Sequence, residues 1–150
     1  MDLTERVPVI YTAHSKLTFY CRDVISEFVL RNDAVPLNPF RVFDYFLGDR
    51  VDRDLVRRGN NNLVAIADET WVFGDVADGV LAEIELAYGL GKKVRFFTIA
   101  TRVAEIQEIG PESVRYEQEV LDTTSRTPAQ LTEILVRQSR GVRPGAKIPE

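Results

Sequence analysis

The chain has 150 residues, enough to bury one continuous core without staples, and its 45% hydrophobic and 28% charged residues match a globular domain. A formal net charge of −4 gives no basic footprint for nucleic acid, and no run of about 18 apolar residues reads as a membrane span. Cys21, the single cysteine, excludes an intrachain disulfide framework or a cysteine zinc site. The start Met1-Asp2-Leu3-Thr4-Glu5-Arg6 lacks the apolar stretch of a secretory signal, so a cytoplasmic protein is expected.

Val7 to Thr12 reads as a short buried first strand, with Pro8 near its start where a missing N–H is tolerated. A helix is expected from Lys16 to Arg31, with Leu17, Tyr20, Cys21, Val24, Ile25 and Phe28 at helical spacing and Ser15 as its cap. Ala34 to Leu37 reads as a second strand. The stretch from Asn38 to Arg50 is aromatic and irregular, long enough to be a lid over a site. A second helix is expected from Asp52 to Ala67, with Leu55, Val56, Leu63 and Ile66 on one face. Thr70 to Phe73 reads as a third strand, Gly74 to Gly79 as an acidic turn, and Val80 to Leu90 as a third helix stopped by Gly91. Lys93 to Ala100 is a fourth strand and Ser113 to Glu119 a fifth. A last helix starts at Thr127-Pro128 and runs to about Gln138.

Strands alternating with helices predict a three-layer α/β sandwich of flavodoxin or Rossmann type, with a mainly parallel sheet of five strands. Residues 1–140 form one domain in this reading and 141–150 an open tail. Parallel sheets of this kind bind ligands beyond the C-terminal ends of their strands, which selects the loops after Thr12, Leu37 and Phe73.

The segment from Asp68 to Lys92 carries most of the chemistry. Glu83 falls, on these boundaries, in the first turn of the third helix, with Val80, Leu86 and Ala87 as its i−3, i+3 and i+4 neighbours. That places a carboxylate beside the apolar face, aimed at the ligand edge. The helix N-terminus favours its ionised form and burial opposes it. A desolvated carboxylate beside a sugar is the type of group that attacks an anomeric carbon. A first-turn glutamate that only stabilises the helix dipole is the plainer alternative.

Gly79, Glu83, Ala87, Gly91 and Lys92 follow the pattern G-x-x-x-E-x-x-x-A-x-x-x-G-K. In this motif the sequence resembles the nucleoside 2-deoxyribosyltransferase superfamily, with its nucleotide N-hydrolase branch. The resemblance implies that Glu83 is a nucleophile forming a glycosyl-enzyme intermediate. It also implies that Asp68, six residues after Asn62, sits near the substrate to orient the base or assist proton transfer. Tyr11, at the end of the first strand, would fix Glu83 or the sugar, and Asp78 and Gly79 would line the substrate site. The expected reaction is cleavage or transfer of an N-glycosidic bond in a small-molecule nucleoside or nucleotide, with no metal and no organic cofactor. A homo-oligomer is implied as well. Ala77 departs from the family, which places an aspartate or a phosphate-binding serine there. Two other readings therefore stand beside the enzyme: a non-catalytic nucleotide-binding module on the same fold, and an NAD-cleaving enzyme like those of TIR-type folds.

The sole histidine, His14, is a candidate contact to base, ribose or phosphate, or simply an exposed loop residue. Ser15 and Lys16 would offer a hydroxyl and an ammonium to an anion, or act as a cap and a first-turn lysine. Phe40, Phe43, Tyr45 and Phe46 can stack on a base or pack in a core. Arg41, Arg50, Arg53, Arg57 and Arg58 are interleaved with Asp44, Asp49, Asp52 and Asp54. A solvated, salt-bridged face is the favoured reading of that cluster, and a phosphate clamp the other.

Overall fold

In the computed structural model, residues 1–43, 47 and 50–141 are described. Asp44, Tyr45, Phe46 and Asp49 of the expected aromatic lid, and the tail from 142 onward, lie outside them.

Strand β1 (Val9–His14) is bonded in parallel to β2 (Val35–Leu37) on one side and to the central β3 (Glu69–Phe73) on the other. Beyond β3 lie parallel β4 (Lys93–Phe97) and a two-residue antiparallel edge strand, β5 (Glu108–Ile109), giving the order β2-β1-β3-β4-β5. This is the flavodoxin-like order, and the direction of winding reverses between β1 and β3.

Alternation along the strands divides the core. Tyr11, Ala13, Val72 and Phe96 face one side, against α3 (Arg53–Ile66), α4 (Asp78–Gly89), α5 (Gln118–Thr124) and α6 (Pro128–Gly141). Ile10, Trp71, Phe73 and Phe97 face the other, against Ile25 and Val29 of α1 (Arg22–Arg31). Three layers result, as the alternating pattern predicts. Among the described residues no helix is long and apolar enough to cross a membrane.

Local chemistry explains where the boundaries differ from expectation. Ser15 does cap, its Oγ accepting from the Leu17 N–H at 3.1 Å, but Lys16–Cys21 winds as a 3-10 helix before α1 begins. Thr18 breaks the helical geometry (φ −107°, ψ 21°), and its hydroxyl donates back to the Ser15 carbonyl. The tighter winding turns Leu17 and Tyr20 outward, 67% and 70% exposed, although helical spacing had placed both on the core face. On α3 the core residue is Val64, while Leu55 and Ile66 are exposed. Asp52 caps that helix by accepting from the Asp54 N–H.

The fifth strand is corrected. Ser113 to Glu119 contributes one isolated bridge, Tyr116 with Val76, and α5 starts directly after it. A short, unexpected α2 (Pro39–Val42) opens the aromatic segment, capped by the Asn38 side chain. Gly91 stops α4 with φ 74°, as expected of a C-terminal glycine.

Candidate active site

At the C-terminal edge of the sheet, where the winding reverses, lies a cleft of about 400 Å³. Its volume is in the range of small-molecule sites. His14, Ser15 and Lys16 enter it from the end of β1, Phe40 and Phe43 from the segment after β2, and Ala77, Asp78, Gly79 and Glu83 from the start of α4. Helix α3 closes it with Arg53, Val56, Arg57 and Asn60, while Glu117 and Glu119 stand at the rim. The Phe43 ring lies against α3 at Gly59, where an added Cβ would come within 2.7 Å of it. Glycine at that helical position lets the aromatic wall close on the helix.

Glu83 sits in the second turn of α4, not the first, because the helix starts at Asp78 with Ala77 as a cap that offers no side-chain bond. It is thus outside the first turn, where the exposed N–H groups would favour its anion. The residue lines the cleft, yet its Oε2 is shut off from solvent and has no hydrogen-bond partner among the described residues. Burial without a compensating partner pushes its carboxyl up to about 8. Of the two opposing influences expected on it, burial prevails.

His14 is buried, at 4% exposure, rather than an exposed loop residue. Thr18 Oγ1 donates to the Ser15 carbonyl at 2.9 Å and so accepts from His14 Nδ1 at 3.1 Å. Asn38 Oδ1 accepts from the Phe40 N–H, which turns its Nδ2 to donate to His14 Nε2 at 3.0 Å. These bonds together assign the Nδ1–H tautomer. Burial, with Arg22 nearby, lowers the imidazole to about 4 against the pull of the Ser15 and Thr18 backbone. With both nitrogens engaged, His14 ties the end of β1 to the 3-10 helix and to α2, and its ring meets the Phe40 ring edge-on at 4.9 Å. Asn38, 2% exposed, is the partner that sequence reasoning missed. Its only sequence signal was an Asn before Pro39, a cap followed by a first-position proline.

Two predicted site residues lie elsewhere. Asp68 precedes β3 at the N-terminal edge of the sheet, where Oδ2 accepts from the Val9 N–H at 2.8 Å and Arg6 pairs with the carboxylate at 3.4 Å. The length of β3, roughly 16 Å, separates it from the cleft. Tyr11 is fully buried beneath the cleft in the cluster that holds Val64 and Ile84, and its hydroxyl has no partner among the described residues. Asp78 and Gly79 do line the cleft, and Asp78 accepts from the Thr123 hydroxyl at 3.2 Å. Within the arginine cluster, Arg41 pairs with Asp23 and Arg57 loosely with Asp54 at 3.6 Å, while Arg53 makes no ion pair among the described residues. The interleaved charges therefore form only part of the salt-bridged face expected of them. Also among the described residues, no three His, Cys, Asp or Glu side chains converge as a metal-binding group.

A protein-family model described as a domain of unknown function (DUF7768) matches residues 12–97. The chain belongs to that family. The family's matched stretch runs from the end of β1 through β4, so it holds Glu83, His14 and the cleft face of α3 and stops before Glu117. No curated protein matches the chain. Among solved structures, the 2-deoxyribosyltransferase of Bacillus psychrosaccharolyticus is similar at 18% identity, covering 82% of this chain and 95% of that one, with a TM-score of 0.52. The Clostridium botulinum CMP N-glycosidase BcmB is similar at 15% identity over 78% of this chain and 98% of that one, with a TM-score of 0.44. The α/β fold is thus of the nucleoside 2-deoxyribosyltransferase-like kind.

Proposed function

We propose that the protein cleaves or transfers the N-glycosidic bond of a nucleoside or nucleotide, with Glu83 as nucleophile. The observation that carries this reading is Glu83: a half-buried side chain lining a cleft at the ligand-binding edge of the sheet, with Oε2 shut off from solvent and without a partner among the described residues. A structural carboxylate would be paired or exposed. The shared fold with a 2-deoxyribosyltransferase supports the same chemistry.

In the proposed reaction a Glu83 oxygen bonds to C1′ as the C1′–N bond breaks. The electron pair leaves with the base, which takes a proton from solvent. An acceptor base or water then attacks C1′ and gives up its proton to solvent, and the carboxylate departs. Positive charge developing on the sugar stabilises the carboxylate it faces, which offsets in the transition state the burial that disfavours the anion. The Phe40 ring and the His14 ring that it meets edge-on would form a wall for the base, with His14 as a neutral support and not an acid or base.

Base release is to be followed by liquid chromatography from a panel of deoxynucleosides, ribonucleosides, their 5′-monophosphates and NAD, with and without an acceptor base. Release that disappears in folded Glu83→Gln supports the reading, and dependence on the acceptor identifies transfer. Nicotinamide release from NAD alone would select the NAD-cleaving alternative. Ala77, which adds only a methyl group to the cleft, favours a non-catalytic binding module as the second reading. Binding without any release would select it.

A further inference from the structure

The geometry points to a 5′-phosphorylated nucleotide as the ligand of the cleft, its phosphate gripped by Arg53 and Arg57 of α3 and its sugar by Asn60. This rests on the reading of the cleft as a nucleotide-sized glycosidic site and specifies which end of the ligand goes where.

Arg53, Val56, Arg57 and Asn60 all line the cleft and recur at i, i+3, i+4 and i+7, so one stripe of α3 faces it. Residues four apart on a helix have Cβ atoms about 5–6 Å apart, a spacing that lets two guanidinium groups flank a single phosphate. Arg53 has no ion pair among the described residues, and Arg57 has only the loose contact with Asp54. Lys16, from the end of β1, adds a third cation to the same cleft, also without an ion pair among the described residues.

Asn60 lies three residues further along the helix, about 4.5 Å deeper. Its Oδ1 is enclosed and has no partner among the described residues, an acceptor that a sugar hydroxyl would satisfy. Asp78, Glu117 and Glu119 occupy the α4 and α5 side of the cleft. Their charge repels an anion there and leaves the α3 side for it. The order along the cleft is then phosphate at the arginines, sugar at Asn60, and the anomeric carbon toward Glu83.

Calorimetry on the full chain would compare a common nucleoside, its 5′-monophosphate and inorganic phosphate alone, against wild type, Arg53→Gln, Arg57→Gln and Asn60→Asp. The monophosphate is expected to bind about tenfold to a hundredfold more tightly than the nucleoside. Each arginine substitution should reduce that preference by about tenfold, and Asn60→Asp should weaken both ligands. The preference should also shrink as pH falls through about 6, where the phosphate loses its second charge. Equal binding of nucleoside and monophosphate, a preference untouched by the arginine variants, or no binding by any of the three ligands would overturn the assignment. Inorganic phosphate binding as tightly as the nucleotide would also overturn it, because the site would then recognise a free anion. These readouts need no turnover. If base release is absent while the monophosphate preference holds, the glycosidic reading fails and the phosphate subsite stands.

Discussion

The two edges of the sheet handle their carboxylates in opposite ways. At the N-terminal edge Asp68 accepts from the Val9 N–H and faces Arg6, while nearby the Lys92 ammonium donates to the Ala67 carbonyl at 2.8 Å. Those bonds satisfy the Asp68 carboxylate and help hold the starts of β1 and β3 together, although the buried Tyr88 hydroxyl beside them has no partner among the described residues. At the C-terminal edge Glu83 Oε2 and Asn60 Oδ1 are enclosed without partners among the described residues, and Arg53 has no counter-ion among them. Sequence reading placed both Asp68 and Glu83 at the substrate, Glu83 by its motif spacing and Asp68 by the family resemblance alone. What separates them is whether the fold completes their bonding. The chain itself completes Asp68, and it leaves Glu83 Oε2 without a partner among the described residues.

The sharpest test of that contrast is catalytic. Glu83→Gln is expected to lower base release by at least about a thousandfold, as loss of a nucleophile does, with the circular dichroism of the fold unchanged. In wild type, release should rise with pH toward a plateau above about 8, where the free carboxyl is ionised. A rate that falls over the same range would make Glu83 a proton donor to the base instead.

Stability against pH gives the next largest effects, with opposite signs for Glu83 and His14. The unfolded chain loses the Glu83 proton near 4.5 and the folded chain keeps it to about 8. The contribution of Glu83 is thus full below pH 4.5 and is lost as pH rises through about 8, a change on the order of a few kcal/mol. Glu83→Gln should abolish that decline in urea unfolding. His14 is depressed from 6.5 to about 4, so its contribution is full above pH 6.5 and is lost as pH falls through about 4. His14→Gln should remove that acid sensitivity, worth about 3 kcal/mol at most. Parallel curves for wild type and either variant would break the assignment of burial at that residue.

The smallest effect belongs to Asp68. Asp68→Ala should cost about 1–2 kcal/mol of stability, from the freed Val9 N–H, and leave base release within about threefold of wild type. A large loss of turnover with normal stability would bring Asp68 back into the site and undo the comparison.

Strands β1 to β4 were legible because each is a short apolar run closed by a turn signal or a cap, and the helix-stopping Gly91 was equally plain. The fifth strand was not. Val114 and Tyr116 imitate the alternation of a strand, yet Val114 fills the core and Tyr116 bridges only Val76. The true β5 has two residues, too few to show any period. Glu83 was legible through its spacing from Gly79 and Gly91, but its raised pKa was not, since burial depends on α3 and the sheet closing around it. The roles of Asn38 and Asn60 arise from tertiary placement alone. Asp68 misled because its role came from the resemblance alone, while its position before a strand puts it at the N-terminal edge, opposite the ligand edge.

Trp71 is the only tryptophan of the chain and lies on the face of the sheet that packs on α1, away from α3 and α4. It is 4% exposed, with the Arg95 guanidinium 4.6 Å from its ring centre and the Phe97 ring at 5.1 Å. Its emission therefore reports the integrity of the scaffold and stays silent when the cleft fills. A single intrinsic fluorophore thus lets unfolding be read optically at any ligand concentration, with occupancy and stability on separate channels.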